Sequence, residues 1–247
     1  MCCGICKLAI SVYGAFAYLV ALLGVLILMM YVSGTGFLPI DINSKIADST
    51  TVVAVVVNLS VMFLFGAHHS LAARSGFKMW LAKFIPAAIE RSSYILVSGL
   101  FMVGICYFWQ PLAGQVWQFE NWMVLAALKT ISVLGLLVIV VASFEIDHLQ
   151  LMGLRQSFGK ERKNDGILRE RFLYKIVRHP IQTGVLMCIW STGQMSMTQC
   201  MLSFCLSVYI LIGLSFEERS LVAHFGEQYL DYKKRVPRLI PFLFYRK

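Results

Sequence analysis

The stretch "IQTGVLMCIWSTGQMSMTQCMLSFCLSVYILIGLSF", residues 181–216, decides the fold class. A bilayer core about 30 Å thick is crossed by roughly 20 apolar residues of helix, so this region is too long for one span. The polar interruption "STGQMSMTQ" at 191–199 predicts a tight turn and two short helices of a hairpin. Four upstream regions pass the same length test: Leu8–Val32, Thr51–Ala67 with a little tilt, Ser92–Trp109 and Trp122–Phe144. The chain therefore reads as an all-α integral membrane protein with about six transmembrane helices. It forms a single membrane domain over 1–247, with four spans in 8–144 and a loop, the hairpin and a tail in 145–247.

Composition points the same way. Of 247 residues, 58% are hydrophobic and 14% charged, against about 25% charged in a soluble domain. The net charge of +9 would suit nucleic acid, but the basic residues sit in short loops beside apolar spans and form no aromatic-interleaved basic face. Nucleic acid is set aside as a partner, and no obligate protein partner is readable.

Lys and Arg set the orientation. The loop after the first span holds only Lys45, and the loop after the third holds none. The loop after the second span carries Arg74, Lys78, Lys83 and Arg91; the loop after the fourth carries eight basic residues from Arg155 to Arg178, and the C-terminal tail seven. Six spans with both termini cytoplasmic place all of these on one side. The expected location is a bacterial inner membrane or, in a eukaryote, the ER or nuclear envelope. The first segment is too long and too polar at its far end for a cleaved signal peptide.

The seven cysteines form no disulfide framework. Cys106, Cys188, Cys200 and Cys205 lie in apolar spans as small hydrophobes. Cys2, Cys3 and Cys6, beside Lys7, are either palmitoylated or plain reduced thiols, and no further zinc ligands accompany them. Lys129 in the fourth span either snorkels outward or joins a buried pair. In the tail, Leu221, Phe225, Tyr229, Tyr232 and Val236 recur at helical spacing. They predict an amphipathic helix from Ser220 to Val236 on the cytoplasmic face, ended by Pro237, with Glu227, Asp231, Lys233 and Lys234 facing elsewhere.

The chemistry begins at "KIVRHPIQTG", residues 175–184. Pro180 lacks an amide hydrogen and suits the first turn of the fifth span. Arg178 and His179 then stand beside free N–H groups and a positive dipole end, a place for an anion; the alternative for Arg178 is a headgroup anchor. The hairpin returns at "SFEERSL", bringing Glu217 and Glu218 back to the same face. An acidic pair beside lipid headgroups calls for a cationic partner or ligand. Anion-binding groups on one helix end and carboxylates on the other suit a zwitterion such as S-adenosylmethionine; an internal Arg–Glu ion pair without ligand is the other reading.

"YKIVRHPIQTG", followed about forty residues later by "EERSLVAHFGEQYLDYKKRVPRLIP", resembles the C-terminal signature of the membrane methyltransferases related to isoprenylcysteine carboxyl methyltransferase. Within that superfamily, "HHSLAARSGFKMWLAKFIPAAIERSSY" and "EIDHLQLMGLRQ" look most like the methanethiol S-methyltransferase and nurim branch. The resemblance covers roughly residues 65–241. It implies S-adenosylmethionine binding by Arg178, His179, Pro180, Gly184, Glu217 and Glu218, with Tyr174, Tyr229 and Tyr232 walling the pocket. Many members carry a Tyr two residues after the Pro, where this chain has Gln182, a departure at the cofactor or substrate contact. His69, Ser70, Arg74, Glu90, Arg91, Asp147, His148, Arg155 and Gln156 match branch positions at cytoplasmic helix ends. There they form the acceptor side or tie the loops together. The adjacent histidines lack a neighbouring acidic residue in sequence, and no metal is expected.

The implied reaction is displacement at the sulfonium methyl by an acceptor thiolate, which the site must favour or create. His179 is the candidate proton acceptor, with Arg74 and Arg155 acting on turnover. A small hydrophobic thiol such as methanethiol would arrive through the bilayer. Its choice over a prenylcysteine carboxylate or a lipid amine rests on the resemblance alone. A nurim-like structural protein without catalysis is the rival; it predicts eroded cofactor elements, whereas Arg178-His179-Pro180 and Glu217-Glu218 are intact. A transporter would show polar mid-membrane residues or broken helices in paired repeats, and the sequence shows neither.

Overall fold

The computed structural model of the chain describes residues 4–33, 42–43, 49–72, 74–160, 168 and 170–241. Cys2, Cys3, Lys45, Arg162, Lys163, Arg169, Arg246 and Lys247 lie outside the described residues.

In chain order the helices are α1 (Gly4–Ser33), α2 (Thr51–Ala72), α3 (Ser75–Leu81), α4 (Ala87–Phe108), α5 (Trp122–Glu145), α6 (His148–Leu151) and α7 (Leu154–Ser157). A 3-10 turn at Phe172–Lys175 leads to α8 (Pro180–Trp190), α9 (Met197–Phe225) and α10 (Glu227–Arg235). Two short strands, β1 (Gln115–Gln118) and β2 (Gln194–Ser196), form a two-stranded sheet. Among the described residues, α1, α2, α4, α5 and α9 are long and apolar enough to cross a membrane. The protein is a multi-pass, all-α membrane protein. The helices overrun their apolar windows because a polar residue at a helix end keeps the same i to i−4 hydrogen-bond ladder.

The two arms after residue 180 are unequal. The first, α8, has 11 residues, which spans about 16 Å and so half the hydrocarbon core. The second, expected to be short, runs 29 residues and carries Glu217 and Glu218 well inside the helix. Between them the chain leaves the helix, as the polar interruption predicts. Two of its carbonyls are bonded there: Trp117 Nε1 donates to Thr192 O at 3.1 Å and Phe119 N to Gly193 O at 2.9 Å. Ser203 Oγ donates to Ile189 O and Trp190 Nε1 to Ser207 Oγ, both at 2.9 Å, which ties the arms near the turn.

The tail also differs from the expectation of one helix over Ser220–Val236. Gly226, with φ 57° and ψ −131°, breaks it between α9 and α10. Only a residue without a Cβ takes this backbone easily. The apolar stripe survives the break. Tyr229, Tyr232 and Val236 are buried and pack with Leu168, Leu221, Val222 and Phe225, so the stripe faces the protein itself.

The chain divides into two compact units. One comprises Met1–Val116, Leu149–Arg162 and Ser196–Leu202; the other Trp117–His148, Lys163–Met195 and Ser203–Lys247. The first is built on α1 against α4, where a Cβ added at Gly24 would lie 2.6 Å from Gly99 O. Ala17, Ala21 and Ile95 are buried in that contact. Small residues let helix backbones approach where lipid supplies no hydrophobic drive, and van der Waals contact does the holding. In the same unit Asn58 is fully buried on α2; its Nδ2 donates to Gln110 O at 2.9 Å and its Oδ1 accepts from Gln110 N at 2.7 Å. The second unit repeats the device: α5 packs on α8, and a Cβ at Gly184 would lie 2.5 Å from Gly135 O. Lys129 is exposed on α5, so the buried pair does not form and the side chain is placed to snorkel.

Candidate active site

The second unit assembles the charged elements of the sequence. Pro180 opens α8 at its first position, which leaves Arg178 and His179 as non-helical residues just before the helix. The end of the chain closes over them. Arg178 N donates to Pro237 O at 2.9 Å, His179 N to Arg238 O at 3.2 Å, and Thr183 Oγ1 to Leu239 O at 2.7 Å. The amides of Arg178 and His179 are thus used by the tail.

Glu218 is the centre of the cluster. It is 7% exposed, and its Oε1 accepts from Arg178 Nε at 2.9 Å and from Arg178 Nη2 at 2.8 Å. His179 Nε2 lies 3.2 Å from the same oxygen, Lys233 Nζ lies 3.3 Å from Oε2, and Arg238 Nε stands 3.7 Å from Oε1. Arg178 Nη1 donates to Lys233 O at 3.2 Å and Val236 O at 2.5 Å. The Arg178–Glu218 pair is therefore internal, the arrangement set out above as the reading without ligand. Glu217 differs: its side chain is 49% exposed, and its Oε2 lies 3.9 Å from His179 Nδ1.

Two tyrosines expected to wall a pocket are fastened to each other. Tyr232 Oη donates to Tyr174 O at 2.6 Å. Burial, with smaller contributions from the Glu217 and Glu145 carboxylates, pushes the Tyr174 hydroxyl well above the ordinary tyrosine range. Burial raises Tyr232 likewise, and it pushes Tyr229, beside Glu218, up to about 12. Gly184 is occupied in packing α8 against α5. Beside Glu218 opens a cleft of about 340 Å3 lined by Ser215, Glu218, Arg219, Val222, Lys233 and Arg238.

Of the expected acceptor-side residues, Asp147 and His148 belong to this same unit. Asp147 takes a left-handed backbone (φ 79°) between α5 and α6. His148 Nδ1 lies 3.0 Å from Ser143 Oγ and its ring stacks on Phe144 at 4.7 Å; burial holds it below the usual histidine range. The rest belong to the first unit. His69 Nε2 is 2.8 Å from Tyr94 Oη and Nδ1 is 3.4 Å from Ser98 Oγ. Arg91 Nε donates to Leu151 O at 2.9 Å while its guanidinium sits 5.1 Å over the Tyr94 ring. Glu90 pairs with Lys78 at 3.2 Å, and Gln156 Nε2 reaches Gln150 O at 3.5 Å. Ser70 is half-buried near the end of α2, Arg74 is the exposed residue before α3, and Arg155 lies on α7. His69, Arg91 and His148 thus tie helices and loops together, one of their two expected roles.

The sequence matches known proteins. The phospholipid methyltransferase family matches residues 128–228, from α5 to the start of α10. A methanethiol S-methyltransferase 2 of Bradyrhizobium diazoefficiens is 42% identical over 78% of this chain and 76% of its own length. The methanethiol S-methyltransferase of Mycobacterium tuberculosis is 35% identical over 93% and 95%. The chain belongs to the methanethiol S-methyltransferase family. It is accordingly a membrane methyltransferase. Nurim of Sus scrofa is a more distant relative, 25% identical over 72% of each chain. No solved structure matches the chain at a significant level.

Three residues of the cluster escape the sequence reading. Lys233, assigned to the outward face of a single amphipathic helix, turns onto Glu218 because the break at Gly226 re-aims α10. Arg238 lies beyond the last predicted helix, and the only trace of it is the basic run "KKRVPR" at 233–238. Glu145 opens the "EIDHLQLMGLRQ" segment; its Oε1 accepts from Leu173 N at 3.4 Å, while Oε2 is buried without a partner among the described residues.

Proposed function

We propose that the chain is an S-adenosylmethionine-dependent thiol S-methyltransferase acting on a small hydrophobic thiol such as methanethiol. The observation that carries the reading is the convergence of Arg178, His179, Lys233 and Arg238 on Glu218, which with Lys233 and Arg238 lines the cleft beside it. A zwitterionic donor fits this donor set: the cleft offers cations to a carboxylate, the half-exposed Glu217 offers a carboxylate to an ammonium, and the volume of about 340 Å3 is that of a small-molecule site. The names of the relatives support the thiol as acceptor.

Bound there, S-adenosylmethionine supplies a methyl group on a sulfonium, already activated for displacement. Glu218 holds Arg178, Lys233 and Arg238 in place, so the cleft is organised before any ligand enters. His179, with Nε2 3.2 Å from Glu218 Oε1 and Nδ1 3.9 Å from Glu217 Oε2, is the group assigned to take the acceptor's proton. For Arg74 and Arg155 the resemblance alone supports a part in turnover, positive charge being what favours thiolate over thiol. His69, Ser70, Glu90, Arg91, Asp147, His148 and Gln156 hold the acceptor side in shape. The bilayer is the route by which an apolar thiol arrives. Six crossings with both termini cytoplasmic complete the reading. The fifth is made by α8 with the non-helical stretch to Ser196, whose polar backbone is bonded within the protein as the hydrocarbon requires.

The test is product formation from methyl-labelled S-adenosylmethionine with methanethiol, farnesylcysteine and phosphatidylethanolamine offered in parallel. Labelled dimethyl sulfide is expected; labelling of farnesylcysteine alone would reject the thiol while keeping the methyl transfer. The self-contained Arg178–Glu218 pair and the nurim similarity favour a second reading, a membrane component without catalysis. No labelled product together with no donor binding decides for it.

A further inference from the structure

We propose that Arg238, seconded by Lys233, is the receptor for the α-carboxylate of the methyl donor, and that Arg178 is its support; this rests on the donor reading above. An arginine has five N–H donors. Arg178 commits Nε and Nη2 to Glu218 and Nη1 to two backbone carbonyls, and the residue is 7% exposed. It has almost nothing left to offer a ligand.

Arg238 is in the opposite condition. Its Nη2 donates to Ser215 Oγ at 3.1 Å, whereas its buried Nε, 3.7 Å from Glu218 Oε1, completes no hydrogen bond among the described residues. A buried, charged N–H that completes no hydrogen bond is costly, and such groups mark a place where a closer partner fits. The cleft supplies the room for one, since Ser215, Glu218, Lys233 and Arg238 all line it. The Lys233 side chain is 35% exposed, and its Nζ touches Glu218 through one contact at 3.3 Å, so it keeps donors to spare.

Charge counting agrees. Arg178, Lys233 and Arg238 lie within 2.8, 3.3 and 3.7 Å of a single carboxylate, leaving two positive charges uncompensated at Glu218. Counting Glu217 as well still leaves one. A cluster with this surplus seeks an anion, and a carboxylate matches the planar fork of a guanidinium. Arg238 is also held for the task, because its own carbonyl accepts the His179 N–H at 3.2 Å.

The probe is decarboxylated S-adenosylmethionine, which keeps the sulfonium, adenosine and ammonium and lacks only the carboxylate. Dissociation constants for it and for S-adenosylmethionine are measured by calorimetry on the purified full chain in detergent. The unmodified protein should prefer S-adenosylmethionine by about 10- to 100-fold, the worth of a charge-assisted contact. Arg238→Gln should erase that preference by weakening S-adenosylmethionine alone, so unchanged binding of the decarboxylated probe certifies the fold. Arg238→Lys should retain part of the preference, and Lys233→Gln should lower it. Equal binding of both ligands by the unmodified protein, or an Arg238→Gln variant that keeps the full preference, overturns the inference while leaving the donor reading standing. Binding of neither ligand by the unmodified protein overturns both.

Discussion

Arg178 Nε and Nη2 both donate to Glu218 Oε1, at 2.9 and 2.8 Å, across forty residues of sequence. This pair joins the segment just before α8 to the interior of α9, and through Arg178 Nη1 it also grips the tail at Lys233 and Val236. Removing one partner leaves the other charge buried, a loss of about 3–5 kcal/mol. Glu218→Ala should therefore lower the thermal midpoint in detergent sharply, and not merely empty a site. The double variant Arg178→Met, Glu218→Leu should recover much of that loss. A Glu218→Ala protein that melts like the parent would show that the pair contributes nothing to folding.

Gly184 offers a clean separation of packing from binding. A methyl group there meets Gly135 O at 2.5 Å and Ile139, so Gly184→Ala should cost about 1–3 kcal/mol of stability by overpacking. The fraction that remains folded should bind S-adenosylmethionine with unchanged affinity. Thermal melts and binding isotherms on one preparation check this; weaker binding at an unchanged midpoint would instead return Gly184 to the cofactor.

Alkaline pH should loosen the tail. An unfolded tyrosine ionises near 10, while Tyr229 in the fold is pushed up to about 12 by burial. Between those values the unfolded chain has lost a proton that the folded chain keeps. Stability from this residue is full below pH 10 and falls above it, by about 1.4 kcal/mol per pH unit. Tyr174 and Tyr232 add to the slope in the same direction. Melting followed from pH 9 to 12 should show the decline, and Tyr229→Phe should make it shallower.

The topology is open to a direct measurement. With single cysteines placed at Glu120 and at Lys160, both exposed, a membrane-impermeant thiol reagent should label the two from opposite sides of the membrane. Labelling from one side would remove the six-crossing arrangement.

Length, periodicity and charge, read along the chain, were enough for the membrane class, the positions of α1, α2, α4 and α5, the break near Ser191, and the bringing together of Arg178, His179, Glu217 and Glu218. Each is a local property: an apolar window of sufficient length, a polar interruption, a proline that can only open a helix. Two outcomes lay beyond that reach. The sequence left Glu218 two readings, an ion pair with Arg178 or a ligand contact, and the pairing with Arg178 follows from burial, which leaves little water to solvate either charge. Lys233 and Arg238 join them because Gly226 adopts a left-handed turn that redirects α10 and carries the tail back over α8. Helical spacing extrapolated through residue 226 aims Lys233 outward. The direction of a side chain after a break is set by the backbone angles at that break and by what the next segment packs against, and neither is written in the spacing of the residues themselves.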